Sequence, residues 1–132
     1  PSLEFALLDQ DMTYLNHLNL NWETRHAEAR RWLIIHDYAL PSGYNHQLVN
    51  LAIEIPTAYP EAQLDMFFVY PALTLKDGRG ISQTENRKDI LGNTYQRWSR
   101  HLHGKTRWNP LTDSVITHLA VVEESFLREV GQ

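Results

Sequence analysis

Apolar and polar side chains alternate along residues 48–55, with Val49, Leu51, Ile53 and Ile55 against Asn50, Ala52 and Glu54. A period of two predicts a strand with one buried face. Pro56 ends it, because proline has no amide to give to a ladder. Residues 22–26 and 31–38 predict two further strands joined by a hairpin across Ala27-Glu28-Ala29-Arg30. Within them, Trp32-Leu33-Ile34-Ile35-His36 is rich in β-branched and aromatic side chains, which favours strand over helix. Residues 64–70 predict a fourth strand, closed by Pro71. Four sequential strands with short turns predict an antiparallel meander.

Two segments follow a helical spacing instead. Asp9 or Asp11 is placed to cap a short helix through His17, with Met12, Leu15 and Leu18 on one side. After Pro110, the positions Leu111, Val115, Ile116, Leu119, Val122 and Phe126 recur every three or four residues. That is one apolar helix face, with Thr112 or Asp113 near its start and Gly131 past its end. Residues 75–94 carry no such pattern: Lys76-Asp77-Gly78-Arg79-Gly80 is a turn and 82–89 is polar. A loop of that length in a compact domain is more often functional than decorative. Pro41-Ser42-Gly43-Tyr44-Asn45 is a turn by composition. The expected fold class is α+β: a four-stranded antiparallel meander with N-terminal and C-terminal helices, in a single domain over residues 1–132.

Composition narrows the function. With 42% hydrophobic residues, 4 Trp, 6 Tyr and 4 Phe, the chain is ordinary globular material rather than a disordered one. A formal net charge of −4 gives no basic footprint for nucleic acid. The absence of cysteine excludes disulfides, thiolate metal sites and thiol catalysis. No stretch has the length of apolar sequence needed to span a bilayer, so no membrane association is expected. The opening Pro1-Ser2-Leu3-Glu4 lacks the pattern of a secretory leader, and a cytoplasmic location is expected. No cofactor is implied.

The candidate chemistry lies in Gln96-Arg97-Trp98-Ser99-Arg100-His101-Leu102-His103, which sets a serine among arginines and imidazoles. A serine hydroxyl is a weak nucleophile until a base takes its proton. In an extended segment residues 99, 101 and 103 face the same side, which brings both imidazoles to the hydroxyl. His101 is the first candidate for the base and His103 the second, since an imidazole is the side chain suited to taking and returning a proton near neutral pH. Arg97 and Arg100 are candidates for stabilising an oxyanion or for docking an acidic partner. Asn93 and Tyr95 are candidate oxyanion donors by proximity in sequence. Each has a plainer reading: Ser99 as a turn serine bonded to local backbone, Trp98 and Trp108 as core anchors, Tyr59-Pro60 as a structural turn, His118 as a helix-surface or core residue. The pair His101-x-His103 also has the spacing of two metal ligands on a strand, which a metal-dependent hydrolase would use.

Several strings together resemble the ubiquitin-conjugating enzyme superfamily, and within it the bacterial branch called prokaryotic family E. They are Pro41-x-Gly43-Tyr44-Asn45, Ile55-Pro56-x-x-Tyr59-Pro60, Asp65-Met66-Phe67, Gln96-Arg97-Trp98-Ser99-Arg100-His101 and Trp108-x-Pro110. In the eukaryotic relatives a catalytic cysteine precedes a Trp-Ser-Pro motif that opens a helix. Here Ser99 lies nine residues before Trp108, which maps the nucleophile position onto serine. The relatives' His-Pro-Asn tripeptide is absent, and Tyr70-Pro71-Ala72 occupies the comparable place. The resemblance implies a carrier that accepts the activated C-terminus of a ubiquitin-like protein on Ser99 as an oxyester and passes it to a target lysine. The implied partners are the ubiquitin-like protein, an ATP-dependent activating enzyme and the lysine-bearing substrate. The relatives imply a setting in bacterial stress or phage defence. The alternative is a catalytically inactive variant that holds the ubiquitin-like protein or its activating enzyme as a scaffold.

Overall fold

A computed structural model of the chain describes residues 2–100 and 107–131. Its elements run α1 (Asp9–His17), β1 (Asn21–Ala27), β2 (Arg30–Ala39), β3 (Leu48–Glu54), β4 (Phe67–Tyr70), β5 (Arg87–Ile90), β6 (Asn93–Trp98) and α2 (Val115–Glu129). The strands form one antiparallel sheet in the order β1-β2-β3-β4-β6-β5. The fold is α+β, with six strands among the described residues instead of the expected four. The stretch expected to be irregular over 75–94 contains β5 and the start of β6. Its hairpin turns on Leu91-Gly92, both at positive φ (50° and 84°), the two-residue turn whose twist suits antiparallel strands. β5 is a polar edge strand, so no apolar alternation marks it.

The sheet buries both faces. On one, Trp22, Leu33, Ile35, Leu51, Ile53, Phe67, Val69 and Trp98 form the main core with Leu15 of α1 and Val115, Leu119, Val122 and Phe126 of α2. On the other, Trp32, Ile34, Ala52, Phe68, Ile90 and Tyr95 form a second cluster. This explains the unbroken apolar run 32–35: each residue is buried, whichever face it takes. Trp98 is the centre of the main core. It stacks on Phe67 with ring centroids 5.4 Å apart and meets the edge of Phe126 at 5.1 Å.

The helix ends differ in detail from expectation. Leu8, in extended conformation, caps α1 without a side-chain bond, and Asp9 and Asp11 fall inside the first turn, the end of a helix dipole that favours acidic side chains. Leu18 lies past the helix and is 45% exposed. α2 begins at Ser114 rather than at Thr112 or Asp113. Ser114 Oγ accepts from Ile116 N, and Thr117 Oγ1 accepts from Ser114 N, a reciprocal cap. Asp113 instead accepts from Asn109 N in the preceding turn. That turn carries Leu111 out into solvent, 93% exposed, off the apolar face assigned to it.

Two backbone positions give direct tests. The β1–β2 hairpin turns on Glu28-Ala29 with φ of 54° and 59°, a conformation suited to Asn-Gly. Left-handed backbone costs an ordinary residue roughly 1–2 kcal/mol. Glu28→Asn combined with Ala29→Gly is therefore expected to raise stability by about 1–2 kcal/mol in urea unfolding. Gly43 is the opposite case. Its φ is 121°, and an added Cβ would stand 2.6 Å from Val130 Cγ1 at the end of α2. Gly43→Ala is expected to cost about 2–4 kcal/mol, seen as a lowered thermal midpoint. Val130→Ala in the same chain should recover only the steric part.

Candidate functional site

β6 runs through the core and delivers Ser99 at its end, half-buried. The backbone there is held from two sides. Ser99 N donates to the Gln83 carbonyl at 3.1 Å, and Gln83 itself has a positive φ of 62°. Met66 N, just before β4, donates to the Arg100 carbonyl at 3.1 Å. The Arg100 side chain folds back over the Trp98 ring, with its guanidinium carbon 5.0 Å from the ring centroid. Its Nη2 donates to Glu129 Oε1 of α2 at 2.8 Å and to the Ser82 carbonyl at 3.1 Å. Arg100 thus ties the end of β6 to the last turn of α2.

Gln96 is a buried polar group that the sequence reading passed over. Its Oε1 accepts from Leu73 N at 2.9 Å and from Trp98 Nε1 at 3.0 Å, while its Nε2 donates to the Leu73 carbonyl at 3.0 Å. Leu73 follows Tyr70-Pro71-Ala72, so one glutamine fastens that segment to the strand leading to Ser99. The main chain at Leu73 lacks a sheet partner, and the amide side chain replaces one on both sides.

The remaining strings of the resemblance also meet at α2. Tyr59 Oη donates to Asp11 Oδ2 at 2.5 Å and accepts from Val115 N, in the first turn of α2, at 2.9 Å. Burial raises the pKa of Asp11, and the bond from Tyr59 opposes the rise. Burial and that same partner push the Tyr59 phenol well above its ordinary range. Trp108 Nε1 donates to the Pro60 carbonyl at 2.8 Å, so the Tyr-Pro and Trp-x-Pro strings join directly. Tyr44 Oη donates to the Phe126 carbonyl at 2.6 Å near the other end of α2. Tyr59-Pro60 is therefore more than a turn, and Trp98 and Trp108 are anchors.

The predicted site residues separate. Ser99 and Arg100 lie together at the end of β6. Arg97 is paired opposite Phe68 in the sheet and shares the face of the second cluster; its Nε is buried without a hydrogen-bond partner among the described residues. Tyr95 is 2% exposed in that cluster, 5.7 Å from the Tyr70 ring. Asn93 begins β6 opposite Ile90. At about 3.3 Å per strand residue, Asn93 stands roughly 20 Å and Tyr95 roughly 13 Å from Ser99. The structure does not bring these two to the serine, because the chain from Asn93 to Trp98 is extended, its first two residues lying in the stretch expected to be irregular. His101 and His103, as base candidates and as a metal pair, lie outside the described residues. Among the described residues no group of three or more His, Asp or Glu side chains converges to hold a metal ion. Beside the Arg100–Glu129 pair, a shallow polar groove of about 480 Å³ is lined by Lys76, Arg79, Glu129 and Gly131 among others.

A family model described as prokaryotic E2 family E matches residues 7–129. The chain belongs to that family. It is thus a bacterial ubiquitin-conjugating-like protein, and membership gives it a role in a ubiquitin-like conjugation pathway. The family implies interaction with a ubiquitin-like protein and with its activating enzyme. Comparison with the curated proteins and with the solved structures gave no match. Among the described residues of this E2-like protein, no helix is long and apolar enough to cross a membrane.

Proposed function

We propose that Ser99 is the acyl acceptor of this E2-like protein. The Ser99 oxygen attacks the activated C-terminal carbonyl of the ubiquitin-like protein, its proton passes to a base, and the activating group leaves. The product is an oxyester. A lysine amine of the target then attacks the same carbonyl, and the serine oxygen departs with a proton. His101 is the first choice for the base in both steps and His103 the second.

The observation that carries this reading is the way the chain fixes residue 99. Its amide is bonded to Gln83, the next carbonyl to Met66, and the strand before it is anchored by Trp98 and Gln96. A side chain that must meet a carbonyl in one orientation gains from such fixing, because positioned reactants avoid the entropy of encounter. The groove beside Glu129 is polar, with Lys76 and the Arg79–Asp77 ion pair on its lining, a surface suited to an extended tail. The polar, half-buried setting also suits acyl chemistry better than a sealed core.

The test is charging. The protein is incubated with its activating enzyme, ATP and the ubiquitin-like protein. An adduct that survives thiol reductant, yields to mild alkali or hydroxylamine, and disappears in Ser99→Ala is the expected result. An adduct retained by Ser99→Ala removes the proposal. Stable co-purification with the partner and no adduct supports the scaffold role, for which the prior engagement of Arg100 by Glu129 speaks.

A further inference from the structure

His118 lies in the first turn of α2 and is 1% exposed, yet the acyl-transfer scheme does not use it. Its Nε2 stands 2.7 Å from the Met66 carbonyl. A carbonyl only accepts, so Nε2 carries the proton and the ring is the donor. Burial keeps the imidazole below its ordinary pKa, against the opposing influence of that carbonyl and of the Asp65 charge. A neutral ring with one fixed tautomer follows.

Met66 is the unusual partner. Its φ of 57° puts a long side chain in the left-handed region that glycine and asparagine favour. Such a residue persists where its surroundings over-determine it. Here both of its backbone polar groups are bonded to residues far away in the chain. The carbonyl receives His118, and the amide reaches the Arg100 carbonyl at 3.1 Å. The next residue, Phe67, opens β4 and pairs with Trp98. The chain of contacts therefore runs from α2 through one twisted residue to the backbone immediately after Ser99.

We infer that His118 is a positioning residue for the Ser99 site: by donating to the Met66 carbonyl it holds residue 66 in the left-handed turn whose amide fixes Arg100. The inference rests on the Ser99 reading of the function. A buried histidine that merely fills the core would give up stability when replaced and nothing else. A positioning histidine also loosens the Met66 amide and slows acylation while the fold survives.

Three variants separate the two. His118→Gln keeps a donor near the place of Nε2. His118→Leu fills the space without one, with His118→Met in its place should the leucine variant fail to fold. Met66→Gly, added to the donor-less variant, allows positive φ without help. In the donor-less variant, hydrogen exchange of the Met66 amide is expected to quicken at least ~10-fold relative to central amides such as that of Ala52, and Ser99 acylation to fall by up to ~100-fold. His118→Gln should hold both close to the unmutated protein, and Met66→Gly should restore acylation. A folded donor-less variant with unchanged exchange and acylation overturns the inference, as does His118→Gln behaving like His118→Leu. No adduct in the unmutated protein brings down the Ser99 reading instead, while a normal adduct with an indifferent His118 brings down this inference alone.

Discussion

Ser99→Cys is expected to convert the adduct proposed for this E2-like protein from an oxyester to a thioester. It will then be released by thiol reductant, and it will discharge to a lysine amine faster than the serine form. The argument is one of leaving groups. A thiolate forms near neutral pH and departs readily, whereas an alkoxide must be protonated as it leaves. The backbone around residue 99 is fixed by bonds from Ser99 N and to the Arg100 carbonyl, neither of which involves the side chain, so the substitution keeps the position and changes only the atom. Ser99→Ala will show no adduct at all. His101→Ala will slow serine charging by about 10²–10⁴-fold, the usual contribution of a positioned base, and will matter less in the cysteine variant because a thiol needs less help. Gel analysis with and without reductant reads all three. A cysteine variant whose adduct ignores reductant would mean that the acyl group sits elsewhere.

Gln96→Leu will cost about 3–6 kcal/mol of stability, a large share of the roughly 5–15 kcal/mol of a typical domain. The leucine fits the volume approximately, but it strands Leu73 N, the Leu73 carbonyl and Trp98 Nε1 together in a buried place. Each buried group left without a partner costs about 1–3 kcal/mol. Gln96→Glu will be no milder, since a carboxylate cannot donate to the Leu73 carbonyl and must be buried charged or take up a proton. The urea midpoint measures this, and a loss under about 1 kcal/mol would show that water or a backbone shift takes over the amide's bonds.

Gln96 also shows where sequence reading ends. Hydropathy reports solvation, so β3, with its strict alternation, and α2, with its three-or-four spacing, were legible. Ser99, proposed as the acceptor, stands out by residue type alone, as a serine between arginines and histidines. A glutamine in the core is invisible to the same signal, since its burial depends on a main-chain gap at Leu73 that only the folded chain creates. β5 escapes hydropathy for a related reason. An edge strand can be polar on both sides, and Arg87-Lys88-Asp89 carries no period. Reading the chain as irregular through Thr94 then misplaced Asn93 and Tyr95, which are near Ser99 in number but far along an extended backbone. Leu111 kept the helical spacing while the Asn109–Asp113 turn held it outside the helix. The partner of Arg100, Glu129, lies on another element, and no local pattern announces such a pair.

The margins of the sheet have a consequence for how the chain meets extended peptides. The outer side of β1 is already occupied, since Glu4 N bonds to Thr24 O, Thr24 N to Ser2 O and His26 N to the Glu4 carboxylate. The opposite margin, β5, is only four residues long and bears Arg87, Lys88 and Asp89. Short charged borders repel stray β-pairing. Among the described residues an extended guest peptide therefore finds little free ladder to zip onto, and crowded copies of the chain little template from which to grow fibrils.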